Sequence, residues 1–229
     1  MNSDLLSLIC LLVTIACYAI AKRLYRSYPI GWLSPILTVP ASLIVFAWLA
    51  GISYPTYFRD TRWLVWLLGP ATIAFALPIY RQRGLIKRYP LSLAAGVVTG
   101  VFMGVASSAF LAHVFALPPE VAHSMLSRSV STPFALAATS AFKGEADLTV
   151  LFVMVTGITG MLVGEFILAS LGVRSSIARG VSLGASAHGV GTVKARQMGA
   201  EEGAVASLTM VFAGISLVLL APVLAGCLS

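Results

Sequence analysis

Charge is scarce in this chain: Asp, Glu, Lys and Arg together make up 10% of its 229 residues. A soluble domain carries about 25%, so there is too little charge to cover a water-facing surface, and the solvent of this chain must be lipid. Acidic residues are the fewest, 8 against 15 Lys and Arg, and they are scattered. No G-x-S-x-G elbow, no H-E-x-x-H pair and no Walker-type phosphate loop occurs, so the reading excludes the common hydrolases and nucleotide-driven work by this chain alone. No enzyme is expected. The three cysteines, Cys10, Cys17 and Cys227, lie in apolar runs without metal-ligand spacing. Buried cysteine ordinarily packs as a small hydrophobe, so no metal, cofactor or redox site is expected.

What is abundant is apolar sequence, 59% of the chain. Six runs are long enough to cross a bilayer, which takes about 20 mainly apolar residues: Leu5–Ala21, Leu33–Ala50, Trp63–Tyr80, Leu91–Leu117, Leu148–Leu171 and Ala204–Leu228. Backbone in lipid must satisfy its own hydrogen bonds, which predicts helices. The alternating pattern of an outer-membrane barrel is absent. The first run is not preceded by the basic head of a secretion signal. Its basic cluster, Lys22, Arg23 and Arg26, follows it, as in a retained first helix.

The net charge of +7 is explained without nucleic acid. With the N-terminus outside and six crossings, the cytoplasmic loops hold Lys22, Arg23, Arg26, Arg81, Arg83, Lys87, Arg88, Arg174, Arg179, Lys194 and Arg196. The outer loops hold only Arg59, Arg62, Arg128 and Lys143. That asymmetry is the positive-inside signature of a cytoplasmic (inner) membrane protein, here with both termini external.

Two further apolar stretches are too short and too polar for ordinary spans: Ser129–Phe142 (SVSTPFALAATSAF) and Val181–Val193 (VSLGASAHGVGTV). Pro133 removes a backbone donor, and Gly189 and Gly191 loosen a helix. Broken backbone at membrane depth is tolerated only where protein or a wet cavity surrounds it. Paired interrupted segments point to a transporter's substrate site, and freed amides at a helix N-terminus can hold an anion. An apolar loop is the plain alternative for either one. Charge counting does not decide between crossing and re-entrant geometry.

At an offset of 60 residues the chain resembles itself. Thr72, Thr132 and Thr192 coincide, Gly84 falls on Gly144, and Gly100 and Gly104 fall on Gly160 and Gly164. Repeat units near 69–117, 129–173 and 189–228 follow, the third matching least well. Many secondary transporters are built from such repeats.

Ionisable groups at membrane depth need a reason, because a charge there costs at least ~2.5 kcal/mol. Glu165 lies inside an apolar run: protonated, paired with Arg128, on a proton path, or a neutral packing residue. His188 precedes Gly189-Val190-Gly191-Thr192 and suits ligand contact or proton coupling, against the commoner packing role. Arg128 opens the first short segment ahead of Ser129, Ser131 and Thr132. Guanidinium, hydroxyls and free amides together make a carboxylate seat; an arginine at the headgroup boundary is the competing reading.

The motifs LGPATIAFALPIYRQ (68–82), SRSVSTPFALA (127–137), TGITGMLVG (156–164) and RGVSLGASAHGVGTVKA (179–195) resemble those of the LrgB/CidB family of bacterial membrane proteins, in the same order. Arg128 stands where that family commonly has Lys, and Ser131 where it has Thr. The resemblance implies two functions. One is an antiholin-like or holin-like modulator of murein hydrolase export and autolysis, acting with a small LrgA/CidA-type membrane partner. The other is a carrier of small carboxylates, pyruvate in bacteria and glycolate or glycerate for the related plastid translocator. The resemblance also implies inverted repeats and an elevator-type movement.

The expectation is therefore an all-α integral membrane protein with about six full spans, two broken or re-entrant segments and internal repeats. Residues 1–62 would form a scaffold or oligomerisation element and 63–229 an LrgB-like transport core. The carrier reading leads: a small monocarboxylate, with a proton as coupling ion. Arg128, Ser129, Ser131, Thr132 and Pro133 form one wall of its site, and His188, Gly189, Gly191 and Thr192 the other. Pro70 and Thr72 border it, and His188 or Glu165 carries the proton. Symmetric assemblies are commonly dimers, which makes a homodimer the default.

Overall fold

The computed structural model describes residues 3–28 and 30–228, and within them every regular element is helical. Met1, Asn2 and Ser229 lie outside the described residues, so the expected external termini do too. The α-helices are α1 Ser3–Ser27, α2 Pro35–Leu49, α3 Tyr54–Trp66, α4 Leu68–Ala74, α5 Ala76–Arg81, α6 Arg83–Arg88, α7 Pro90–Val114, α8 Pro119–Met125, α9 Thr132–Phe142, α10 Ala146–Ser170, α11 Ser176–Met198 and α12 Ala200–Leu228. Proline opens α2, α3, α7, α8 and α9 at the first or second position, where its missing N–H costs nothing. Left-handed residues close four helices: Gly51 (φ 62°) follows α2, Ala116 (φ 46°) follows α7, Lys143 (φ 58°) ends α9, and Gly172 (φ 65°) follows α10, where Val173 N–H reaches back to the Leu168 carbonyl.

Five helical runs have the length and apolarity to cross a bilayer: Asp4–Ser27, Tyr54–Arg81, Pro90–Val114, Ala146–Ser170 and Ala200–Cys227. The protein is a multi-pass helical membrane protein. The expected span over Leu33–Ala50 is shortened to α2, 15 residues between Pro35 and Leu49. At 1.5 Å per residue that is about 22 Å, less than the ~30 Å hydrocarbon core. The expected span over Trp63–Tyr80 instead belongs to a run that begins at Tyr54.

The chain forms two compact units, Met1–Ala71 and Thr72–Ser229, with the boundary inside α4. In the first, α1 packs on α2 and α3. Polar contacts hold α1 to α3: Ser7 donates to Asp60 at 2.7 Å, the Thr14 and Tyr57 hydroxyls are 2.8 Å apart, and Asp4 pairs with Arg59.

In the second unit α12 is the central element, packed against α11, α9 and α7. Val205, Ala206, Leu208, Val211, Ala213, Leu217 and Ala221 are its buried stripe. Around it the chain reverses twice. At the first reversal the residues that follow α8 run in and α9 runs back: Ser127 reaches Thr139 at 3.4 Å, and the apex is Arg128–Ser131. The open end is tied where α8 finishes: Ser124 Oγ accepts from the Glu145 N–H at 2.7 Å, and Thr149 donates to the Ser124 carbonyl at 3.2 Å. A Cβ at Gly144 would meet the Ser124 backbone at 2.8 Å.

The second reversal lies inside α11, at His188, whose φ of 41° and ψ of −127° are not helical. The two arms fold onto one another. Gly191 lies against the carbonyl of Leu183, eight residues earlier, a separation of about 12 Å in a straight helix. Ala195 of the returning arm joins Leu183 of the ingoing arm in one buried cluster with Leu168 and Ala206. The bend thus falls on His188 and not on Gly189 or Gly191, as their composition suggested. Lys194 and Arg196, expected in a cytoplasmic loop, lie instead on the returning arm of this helix.

Candidate functional site

Both reversals point their apices at the middle of the same helices. Ser129 fits against Gly104 of α7, and Ala185 of the ingoing arm of α11 fits against Gly100, where a Cβ would lie 2.6 Å away. On α10, Gly157 leaves room for the His188 ring, Gly160 for Ala187 and Gly164 for Leu183. The glycines aligned by the 60-residue offset, 100 with 160 and 104 with 164, are packing residues in both positions: a Cβ at Gly100 or Gly160 would meet the Cβ of Ala185 or Ala187, and one at Gly104 or Gly164 would meet the Ser129 or Leu183 side chain.

Arg128 is the central polar residue. Its Nε donates to Ser108 Oγ at 2.9 Å and one terminal nitrogen to Ser107 Oγ at 3.0 Å, both on α7. The other terminal nitrogen donates to Thr156 Oγ1 of α10 at 3.4 Å. The guanidinium therefore bridges α7 and α10. Three of its five N–H donors meet neutral hydroxyls. Ion pairs join Arg59 with Asp4 and Lys194 with Glu165; Arg128 meets no carboxylate among the described residues and is a half-buried cation held by hydroxyls. Beside it, Ser129 Oγ and Ser131 Oγ are buried and make no hydrogen bond. Ser131 is also the N-cap position of α9, yet its side chain does not cap. An unpartnered cation, two unpartnered hydroxyls and the positive end of an 11-residue helix together favour an anion.

Two cavities meet at this point. One of about 390 Å³ lies along α7 and is lined by Thr99, Gly100, Ser107, Ser129 and Ala185 among others. The second, of about 460 Å³, lies along α10 and is lined by Thr156, Thr159, Gly160 and Val163 among others. Arg128, Ser182 and Ser186 belong to both linings. Each volume suits a small solute.

The expected site residues fall into groups. Arg128 and Ser129 line the cavity, and Ser131 is buried next to them; Thr132 and Pro133 begin α9 behind that apex. The expected second wall is displaced: His188, Gly189, Gly191 and Thr192 line neither cavity, and the wall facing Arg128 is Ser182 and Ser186 of the ingoing arm. His188 is 4% exposed, and its Nε2–H donates to the Val153 carbonyl at 3.0 Å. Val153 and Thr156 are three residues apart, so the two apices reach α10 within one turn of each other. Thr192 Oγ1 donates to the His188 carbonyl at 2.9 Å. Thr72, first residue of the second unit, lines neither cavity, and Pro70 belongs to the first unit. Glu165 is paired with Lys194 at 2.5 Å rather than with Arg128.

Sequence reasoning passed over Ser107, Ser108, Thr156, Thr159, Ser182 and Ser186. The four-residue spacing of Ser182 and Ser186 puts both on one helix face, and that was the available signal. Isolated hydroxyls on apolar helices are too common for the others to stand out.

Similarity to known proteins covers nearly the whole chain. The LrgB-like family matches residues 14–227. Holin-like protein CidB of Staphylococcus aureus is 31% identical over 224 residues, 98% of each chain. The uncharacterized proteins YwbG and YxaC of Bacillus subtilis are 32% identical over 219 residues and 31% identical over 215. These alignments cover 96% of this chain and 97% of YwbG, and 94% of each chain for YxaC. No solved structure matches the chain at a significant level.

Proposed function

The chain belongs to the LrgB-like family, and from that premise we propose that it is a holin-like membrane protein. In this reading it modulates murein hydrolase export and autolysis together with a small LrgA/CidA-type membrane partner. The supporting observation is the likeness, over nearly the full length, to relatives named holin-like proteins. Those names favour this reading over the carrier that the sequence placed first. Its test is a chromosomal deletion: the rate of detergent-induced lysis and the murein hydrolase activity of the culture should change and return on complementation. Unchanged lysis and hydrolase activity would remove this reading.

The geometry favours a second reading, a carrier of small monocarboxylates. A cation without a counter-ion, at the junction of two cavities and at the apex of a broken helix pair, is what supports it. Arg128 holds the carboxylate, with Ser129, Ser131 and the start of α9 at Thr132 and Pro133 completing the seat. His188, Gly189, Gly191 and Thr192 shape the opposing apex. Glu165 or His188 carries a coupling proton; for Glu165 this means breaking its pair with Lys194. The two reversals re-enter from opposite membrane faces, and the part that carries both moves against the rest of the chain in alternating access. Two copies of the chain assemble. Uptake of labelled pyruvate, glycolate and lactate into proteoliposomes, with and without a proton gradient, tests it. Saturable uptake lost in Arg128→Ala supports the carrier; no uptake by folded, inserted protein, alone or with its partner, excludes it.

A further inference from the structure

The connector between two of the candidate spans concentrates positive charge. α6, Arg83–Arg88, joins the apolar run Tyr54–Arg81 to the run Pro90–Val114. A six-residue helix between two membrane-crossing runs lies where both leave the hydrocarbon, at the level of the lipid headgroups. Arg81, Arg83, Lys87 and Arg88 fall within this stretch, and the sequence has no Asp or Glu between Asp60 and Glu120. All four cations are exposed. The ion pairs among the described residues engage other cations, Arg59 and Lys194.

This short helix is two-faced. Leu85 and Ile86 pack, with Ile79, against the buried cluster of Leu93, Val205 and Leu208, which fixes how α6 is rotated. At about 100° per residue, Arg83 and Lys87 then fall together on the opposite side, with Gly84 and Arg88 next to them. A Cβ at Gly84 would meet nothing within 4 Å, so an open step lies between Lys87 and Arg88. The Arg83 guanidinium stands 5.1 Å from the centre of the Tyr80 ring, and that of Arg88 5.2 Å from the centre of the Tyr89 ring. A guanidinium resting on a ring keeps N–H groups along its edge free, and that edge matches a phosphate with two parallel bonds. Tyrosine itself favours the headgroup level.

We propose that α6 is a binding site for an anionic phospholipid, whose headgroup phosphate sits over Gly84 between Arg83, Lys87 and Arg88. Charge complementarity selects this occupant. A headgroup of net negative charge, as in phosphatidylglycerol, meets the three cations without the ammonium that a zwitterionic headgroup brings against them. Arg81, at the end of α5, adds to the same field. A soluble phosphate would find exposed cations of little individual worth. A lipid is already held at this depth by its acyl chains, so its phosphate is presented at high effective concentration.

The experiment incubates the full-length chain, in mild detergent, with equal amounts of phosphatidylglycerol and phosphatidylcholine of the same acyl chains. Native mass spectrometry then counts the lipids retained. Phosphatidylglycerol should be retained at least about fivefold over phosphatidylcholine, the equivalent of one Lys or Arg at an anionic surface. In Arg83→Gln combined with Lys87→Gln and Arg88→Gln the ratio should fall toward one, with the thermal midpoint of the lipid-free protein unchanged because the three side chains are exposed. Removing the same charge elsewhere, by Lys22→Gln with Arg23→Gln and Arg26→Gln, should leave the preference in place. Equal retention of the two lipids by the unmodified protein would overturn the proposal and leave these cations to an acidic protein partner. An equal loss of preference in both triple variants would also overturn it, as net charge alone would then explain the retention. Displacement of phosphatidylglycerol by millimolar glycerol 3-phosphate would show a soluble-anion site instead, and would overturn it as well.

Discussion

The reversal at Arg128–Ser131 and the reversal at His188 differ in what becomes of their polar groups. At the first, a guanidinium meets only neutral hydroxyls, and two buried serine hydroxyls make no hydrogen bond. At the second, the His188 ring is bonded to the Val153 carbonyl, Thr192 is bonded to the His188 carbonyl, and glycines let the two arms and α10 close on one another. Buried polar groups are normally satisfied, because leaving one unpaired costs ~1–3 kcal/mol. The second apex is therefore complete as it stands, while the first awaits a partner. In the carrier reading the solute seat therefore belongs to the first apex, and the second supplies to it the side of a helix, through Ser182 and Ser186, rather than its tip.

The largest test of that contrast is Arg128→Ala, expected to weaken monocarboxylate binding about 100-fold, as loss of a half-buried charge partner does. Arg128→Lys should lose roughly tenfold, since an ammonium cannot bridge Ser107, Ser108 and Thr156 together. Wild-type affinity in Arg128→Ala would move the seat elsewhere.

Next in size is a pair on the second reversal. An added methyl at Gly191 meets the Leu183 carbonyl, which is backbone and cannot yield, whereas at Gly189 the nearest atom is Met210 Sδ at 3.9 Å. Gly191→Ala should cost about 2–3 kcal/mol, seen as a lower thermal midpoint in detergent, and Gly189→Ala should be neutral or slightly stabilising. If both substitutions were equally tolerated, the arms would not be folded together as described.

A smaller effect concerns His188 itself. Its backbone sits where only glycine is comfortable, so His188→Gly should be more stable than His188→Ala by about 1 kcal/mol, the reverse of the usual helix order. Thermal unfolding of the two variants side by side reads this directly, and the ordinary order would mean an unstrained bend.

The smallest is Glu165→Gln. The side chain is half exposed in the isolated chain, and the pair with Lys194 should contribute less than about 1 kcal/mol. Its informative readout is uptake with and without a proton gradient. Retained uptake that no longer responds to the gradient would assign the coupling proton to Glu165, and an unchanged response would exclude it.

Much of this was legible beforehand where local composition settles the matter. Long apolar runs with few charges require helices in lipid, whatever they pack against, and five of the six expected spans appear as helices long enough to cross. The two short segments were recognisable because Ser, Thr, Gly and Pro interrupt apolar sequence there. Less legible was where a helix would bend: the Gly189 and Gly191 pair drew attention, but close packing against Leu183 uses Gly191 for space, and the bend falls on the residue before them. The hydroxyls that hold Arg128 come from α7 and α10, more than twenty positions away on either side for Thr156 and Ser107, and no local signal marks such partners.

By itself, then, the sequence determined the solvent, the helical class, the family and the two interrupted segments, since these follow from composition and from motifs continuous in the chain. Only the tertiary structure decided that both segments double back, that Arg128 bridges two helices without a counter-ion, and that Ser182 and Ser186 face it in place of His188. Those outcomes depend on which glycines admit a neighbouring backbone and on which hydroxyl protons are already committed, and both are fixed only when distant helices come into contact.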